Sequence, residues 1–271
     1  LKRNGKPYKK FSNHIGLIPV VLISPYDNDL INDGSNERRK FIDSIISQND
    51  RNYLINLISY SKVIQNRNKL LKLYNKSVDF DLDTIKVYND QIVKLSKPIF
   101  EVRKAFIDEF KPIIINKYNK ISDNKEKISI NYKSDLLNNE IESLIENSFQ
   151  KDTILQHTTF GLHKDDFIFN IDDNALKKFG SQGQQKSFLI ALKLAQFDYL
   201  KNKTGNSPVL LMDDIFDKLD ILRVKRIVNI VNSTNFGQLF ISDTDKDRVE
   251  KVLSSLNISS KIFDIWKEII S

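Results

Sequence analysis

Residues 209–214 read Val-Leu-Leu-Met-Asp-Asp, an uninterrupted apolar run that ends in two carboxylates. A strand without polar alternation suits a sheet covered on both faces, the usual setting of parallel strands joined through helices. The breaker Gly205–Asn206–Ser207–Pro208 precedes the run and the helical pattern of Leu222–Asn232 follows it. That order places one strand inside strand–helix alternation. In open sheets of this kind ligands bind at the C-terminal edge of the strands, where Asp213 and Asp214 fall. Two acids alone are ambiguous, because a strand can also end in an acidic turn for solubility.

The neighbouring segments narrow the choice. Upstream, Phe179–Gly180–Ser181–Gln182–Gly183–Gln184–Gln185–Lys186 opens a helix that runs to about Lys203. Ser181 is placed as its N-cap, and the free amides of the first turn make a ready anion site. A capped helix followed by an apolar strand ending in Asp-Asp has the order of an ABC ATPase signature helix followed by a Walker B strand. On that reading Asp213 holds Mg²⁺, a hard cation that prefers oxygen ligands, and Asp214 orients or polarises the attacking water. Phe216–Asp217–Lys218–Leu219–Asp220 then stands at the place of a D-loop, with Asp217 and Asp220 as its acids. The strand Gln238–Ser242 delivers Asp243–Thr244 to the position of a γ-phosphate switch. A helix over Lys246–Leu253 and a last strand over Lys261–Trp266 complete this half.

The first half has a different character. Asn4–Gly5 is a tight-turn dipeptide between short extended stretches, and Pro19–Ile23 reads as a buried strand running into Ser24–Pro25–Tyr26–Asp27. Ser35 is placed as the N-cap of a helix. From about Arg38 to Tyr118 apolar residues recur at helical spacing, interrupted at Asn75–Asp83. Two long helices with a short connection imply an antiparallel arm or lobe, much shorter than a coiled-coil rod. Ile128–Tyr132 alternates like a strand, Leu136–Phe149 like an amphipathic helix, and Phe167–Asn170 again like a strand.

Composition excludes several classes. With no cysteine there is no disulfide framework and no thiolate metal site, as in a reducing cytosolic compartment. His14, His157 and His163 are dispersed without zinc spacing, and a lone histidine in a strand-entry turn such as His163 is ordinarily structural. No apolar run approaches the roughly 18 residues that cross a bilayer. The net charge of +7 is compatible with a nucleic-acid partner, although a chain so rich in Ile, Asn and Lys can reach it through biased coding alone. Arg38–Arg39–Lys40 and Lys9–Lys10 could meet a phosphate backbone. Tyr and Phe fall mostly on apolar helix faces and form no platform for stacking single-stranded bases. Leu1 is not methionine and Leu1–Lys10 is polar and basic, unlike a signal peptide; the simplest reading is a fragment of a longer protein.

These motifs together resemble the RecF family. Ser181–Gln182–Gly183–Gln184–Gln185 resembles its form of the signature, and Gly161–Leu162–His163–Lys164–Asp165–Asp166 its Gly-Pro-His-Arg-Asp-Asp. Ser24–Pro25 with Asp27 is similar to its Ser-Pro-Glu-Asp loop, Glu37–Arg38–Arg39–Lys40–Phe41–Ile42–Asp43 to its Arg-Arg-x-Phe-Leu-Asp stretch, and Gln65–Asn66–Arg67–Asn68–Lys69–Leu70–Leu71 to its Gln-Arg-Asn segment. The matches run through nearly the whole chain in order. Departures are Leu162 and Lys164 for proline and arginine, Lys186 where arginine is common, and Asp214 at the position of the transporters' catalytic glutamate, a shorter acid suited to slow hydrolysis. The phosphate-cradling Gly-x-x-x-x-Gly-Lys-Ser/Thr motif is not found in the 271 residues; the resemblance implies that it lies upstream of the region matching Leu1.

The resemblance implies an α/β ABC-type ATPase head, its P-loop NTPase sheet incomplete, with an inserted helical lobe. Residues 1–35 would be the remainder of the N-terminal ATPase lobe, 36–150 a mainly helical lobe, and 151–271 the C-terminal lobe with signature, Walker B and D-loop. ATP and Mg²⁺ would be the cofactors. Ser181, Gln182, Gly183 and Gln184 would close in trans over ATP bound by a second subunit, in a cytoplasmic homodimer that clamps single-stranded, gapped or junction DNA. Arg38, Arg39 and Lys164 are its candidate DNA contacts, RecR- and RecO-type mediators its partners, and SOS-linked repair of gaps and stalled forks its task. ATPase activity would be weak, and absent from the fragment alone. Two alternatives stand beside this: a head from another SMC-like repair ATPase, and a nucleotide-independent module that binds DNA or a partner.

Overall fold

The computed structural model describes residues 2–8, 10, 14–74, 82–214, 219–233 and 237–245, with isolated positions beyond. The turn at Asn4–Gly5 joins β1 (Lys2–Arg3) to β2 (Lys6–Pro7), with both turn residues at positive φ as a two-residue hairpin requires. β3 (Val20–Ile23) leads through a short 3-10 turn at Pro25–Asn28 into α1 (Asp29–Asn32) and α2 (Ser35–Asn49). The cap of α2 is Gly34, one residue earlier than expected; Ser35 is already helical, and its hydroxyl lies 2.7 Å from the Arg39 guanidinium, which donates to it.

The helical stretch divides at Asp50 into α2 and α3 (Arg51–Tyr74), and α4 spans Leu82–Ser122 through Pro98 and Pro112. The expected break lies mostly on 75–81, outside the described residues. Tyr53 meets Arg103 and Arg67 meets Asn89, which is the register of two antiparallel helices. Along α4 the buried positions Ile92, Ile99, Arg103, Phe106, Phe110, Ile114, Tyr118 and Ile121 recur every three to seven residues. That spacing makes one stripe, which packs between α3 and a later helix.

β4 (Ile128–Lys133) pairs antiparallel with β5 (Asp166–Ile171), which also holds β6 (Asn174–Ala175). Between β4 and β5, α5 begins at Ile141 and ends at Leu155. The expected start at Leu136 is instead a 3-10 turn, because the Ser134 hydroxyl accepts the Leu136 N–H and closes the chain locally. α6 (Leu176–Phe179) and α7 (Gln182–Thr204) follow, then β7 (Val209–Asp213), α8 (Ile221–Ser233) and β8 (Gln238–Ser242). The readings for 246–253 and 261–266 fall mostly outside the described residues.

β7 lies between β3 and β8, and both pairings are parallel. The parallel arrangement is the expected one, whereas the covering is one-sided among the described residues. Val21, Ile23, Leu210 and Met212 are buried on the face toward α7, while Val20, Leu22 and Phe240 on the other are 40%, 47% and 52% exposed.

A buried polar network ties the helices to β5. Arg103, 2% exposed, donates to Asp43 at 2.9 Å, to Asp165 at 2.8 Å and to the Leu162 carbonyl at 2.9 Å. Tyr53 and Tyr132 donate to Asp43 and Asp165, each at 2.5 Å. Arg67, fully buried, donates to Asp152 at 2.7 Å, Thr158 at 2.8 Å and Asn89 at 2.9 Å. Such planar forks satisfy several acceptors at once, which offsets the cost of burying a charge; Arg67 Nη2 is the one nitrogen of the two guanidinium groups without a partner among the described residues.

Candidate functional site at the sheet edge

The register sets the site. β7 and β8 run in parallel with Asp213 opposite Ser242, so both side chains emerge at the same edge of the sheet. The Ser242 hydroxyl donates to Asp213 Oδ1 at 2.7 Å and thereby fixes the exposed carboxylate. Its other oxygen has no hydrogen-bond partner among the described residues. Asp214 sits at φ 46°, in the left-handed region where an aspartate is tolerated. The chain turns sharply there; the Asp214 N–H donates to the Ser242 carbonyl at 3.0 Å, and its own carbonyl accepts from Lys186 Nζ at 3.3 Å. Asp213, Asp214 and the first turns of α7 are therefore linked within one chain.

The start of α7 is a reciprocal cap. Ser181 Oγ accepts the Gln184 N–H at 3.2 Å, and Gln184 Oε1 accepts the Ser181 N–H at 2.8 Å. Gln184 is thus held in the cap, while the amides of Gln182 and Gly183 remain at the positive end of a helix 23 residues long. Gly180 has no room for a side chain: a Cβ would lie 2.8 Å from both the Leu176 carbonyl oxygen and a Leu176 methyl. Gln185 Nε2 donates to the Gly180 carbonyl at 3.1 Å and the Leu176 carbonyl at 3.2 Å, closing the turn before the cap.

Asp220 caps α8: its Oδ1 accepts the Arg223 N–H at 2.9 Å and its Oδ2 lies 3.2 Å from Arg223 Nε. Asp217 lies outside the described residues. Asp243 accepts the Asp245 N–H at 2.8 Å, and Thr244 is exposed beside it. The other candidates lie on the face of α2 and β5. Arg38 makes a two-point contact with Asp166, 2.8 and 3.0 Å, and also donates to the Asp33 carbonyl at 2.9 Å. Arg39 donates to the Asp165 carbonyl at 2.6 Å; burial and the neighbouring Arg103 lower its pKa. Lys164 is exposed on the turn 162–164. His163 lies between the Tyr60 hydroxyl and the Thr158 carbonyl, each 3.1 Å away, and burial pushes its pKa down to about 4, so the ring is neutral near pH 7.

Among the described residues no group of three or more His, Asp or Glu side chains is placed to hold a metal ion. Asp213 still fits Mg²⁺, which is commonly bound by one or two carboxylates together with substrate phosphates. No helix is long and apolar enough to cross a membrane, among the described residues.

Reading from residues alone missed Ser242, Arg223 and Lys193. Ser242 carries a weak signal as the hydroxyl that ends β8 before Asp243–Thr244. The roles of Arg223 and Lys193 have no local signal, since each depends on a partner far away in the chain.

A parallel sheet that delivers paired carboxylates beside a capped helix, with a helical arm packed against it, is the layout of an ABC-type ATPase head. Comparison with known proteins makes this specific. The chain is 53% identical over 265 residues to the DNA replication and repair protein RecF of Flavobacterium johnsoniae, which covers 98% of this chain and 74% of that protein. It is 43% identical to RecF of Phocaeicola vulgatus, covering 97% and 71%, and 41% identical to that of Bacteroides thetaiotaomicron, covering 100% and 72%. A solved structure of the recombination mediator protein RecF with ATP, in the RecFOR pathway, superposes with a TM-score of 0.80 at 28% identity, covering 91% of this chain and 67% of that one. No family model matches. The chain belongs to the RecF family.

Proposed function

We propose that this chain acts in DNA replication and recombinational repair as part of an ATP-dependent clamp. In the full-length protein ATP closes a homodimer around single-stranded, gapped or junction DNA, and slow hydrolysis reopens it. The observation that carries the reading is the Ser242–Asp213 contact at the sheet edge, beside the Ser181-capped helix. An exposed carboxylate held by a neutral donor keeps its direction without a competing cation. Asp213 would hold Mg²⁺, which when bound neutralises phosphate charge. Asp214 would orient water. The amides of Gln182 and Gly183, with Ser181, would meet the terminal phosphate of ATP held by a second subunit, and Gln184 would keep that turn in shape. Asp220 and Asp217 would form the loop facing the partner, and Asp243–Thr244 would sense the phosphate.

The relatives' name supports a role in DNA replication and repair, and the RecFOR setting of the matched structure supports RecO- and RecR-type mediators; the gap and stalled-fork substrate, the SOS link and the cytoplasmic setting belong to the same proposal. Lys164 is the best-placed DNA contact of the three basic candidates because it is exposed; Arg38 and Arg39 would add to the local field while bound to their own acceptors. The 271 residues contain no P-loop, so this segment alone would hydrolyse no ATP. Sedimentation of the full-length protein with saturating ATP and Mg²⁺ tests the reading: a dimer that Asp213→Asn or Ser181→Arg abolishes is expected, and a monomer throughout overturns it.

A further inference from the structure

The guanidinium of Arg223, near the start of α8, joins three parts of the molecule. Its Nη1 donates to Ser187 Oγ at 2.7 Å and lies 3.4 Å from the Gly183 carbonyl, both in the first turns of α7. Its Nη2 donates to Glu126 Oε1 at 2.7 Å, and its Nε lies 3.2 Å from Asp220 Oδ2. Ser187 is fully buried and donates onward to the Gly183 carbonyl at 2.6 Å. The second oxygen of Glu126 accepts from Tyr118, a buried residue of the long helix α4. A further contact runs parallel to these: Arg226, one turn along α8, donates to Asp123, just past the end of α4, at 2.9 Å.

We infer that Arg223 is a positioning residue that couples Asp220 and the Gly183 turn to the helical arm through Glu126. The Gly183 carbonyl belongs to the turn whose amides face outward, so a shift of that turn changes the Ser187–Arg223 contact directly. Arg223 is held at its other end by Asp220, and the planar fork cannot follow one partner without disturbing another. A shift of Asp220 and a shift of the Ser181–Gly183 turn are therefore one motion, and Glu126–Tyr118 delivers it to α4. Asp220, expected to act across a dimer, has a first role inside its own chain. The inference rests on the ATP-switch reading for its consequence in turnover, whereas the contacts that carry the coupling all lie within one chain.

The test uses the full-length protein with Arg223→Lys, Glu126→Gln and their combination. Arg223→Lys keeps a charge and loses the fork. In each single variant the KM for ATP is expected within about twofold of wild type and kcat about tenfold lower, the size of effect that a misplaced site produces. The double variant is expected to be no slower than the worse single, as for residues in one network. Additive losses, or an unchanged kcat in folded variants, overturn the coupling. Hydrogen exchange of the nucleotide-free protein reads it separately: Glu126→Gln is expected to raise exchange in the first turns of α7, and unchanged exchange there overturns the proposal. A wild-type protein that neither dimerises nor turns over ATP would remove the switch reading, and the exchange measurement would then decide the role of Arg223 by itself.

Discussion

Lys193, in the middle of α7, lies 2.6 Å from Asp27 in the turn that leaves β3, with its ammonium 5.3 Å from the centre of the Phe41 ring. The other Asp27 oxygen accepts the Ser24 N–H at 2.8 Å. One carboxylate therefore shapes the turn beside the sheet edge and tethers it to the helix that carries Ser181. Both side chains are nearly buried, at 11% and 14% exposure. Removing one partner leaves a charge with little water. Asp27→Ala is expected to destabilise the protein by about 3 kcal/mol, and Asp27→Leu with Lys193→Met by clearly less. Urea unfolding of the three variants checks this.

Arg103 holds Asp43, Asp165 and the Leu162 carbonyl at once. A lysine supplies the charge without the fork, so at least one acceptor is stranded. Arg103→Lys is expected to cost about 3 kcal/mol and Arg103→Ala more. The comparison of the two in thermal or urea unfolding separates geometry from charge.

His163 has a depressed pKa, about 4, because burial disfavours its charged form. Between that value and the roughly 6.5 of an unfolded histidine, the unfolded chain binds more protons than the folded one. The stability from the neutral ring is therefore complete above about pH 6.5 and is lost as pH falls toward 4, by about 3 kcal/mol in all. Replacing His163 with Gln is expected to flatten this part of the pH–stability curve. An unchanged slope in the variant would count against the assignment.

Ser242→Ala removes the donor that directs Asp213 while leaving the backbone bond from Asp214 to the Ser242 carbonyl intact. In the full-length protein kcat for ATP is expected to fall about tenfold, against near-complete loss for Asp213→Asn, if directing the carboxylate is what Ser242 does. Steady-state ATPase assays of both variants, with Mg²⁺ titrated, make the comparison.

Gly180→Ala places a methyl 2.8 Å from the Leu176 carbonyl oxygen, a backbone atom that cannot swing aside. The turn before Ser181 must move. A loss of about 1–3 kcal/mol is expected, together with weaker ATP-dependent dimerisation in the full-length protein. A variant that melts as wild type would show that the turn has room.

Local pattern carried much of the architecture. The apolar runs at 20–23 and 209–213 are strands whose alternating positions are buried, the run at 238–242 pairs beside them with its alternating positions partly buried, and the Ser181-x-x-Gln184 spacing is a reciprocal cap. Ser35 misled because a hydroxyl ahead of a helical pattern fits two adjacent cap positions, and Arg39 draws it into the helix. The arginines read as possible phosphate contacts illustrate the larger difficulty. Nothing within a few residues of Arg38 indicates that Asp166, 128 positions away, holds it from two sides.

From its residues alone this chain was already committed to a parallel sheet with two acids at its edge, a capped helix before them and a helical arm. Those are short-range properties: periodicity, capping and turn chemistry act within a few residues. The tertiary structure decided which acids are directed and which cations are engaged. Ser242 meets Asp213 only through the β7–β8 register, and Arg223 meets Gly183, Glu126 and Asp220 only when three elements pack. Directional contacts between groups distant in the chain exist only after the core has set their separation.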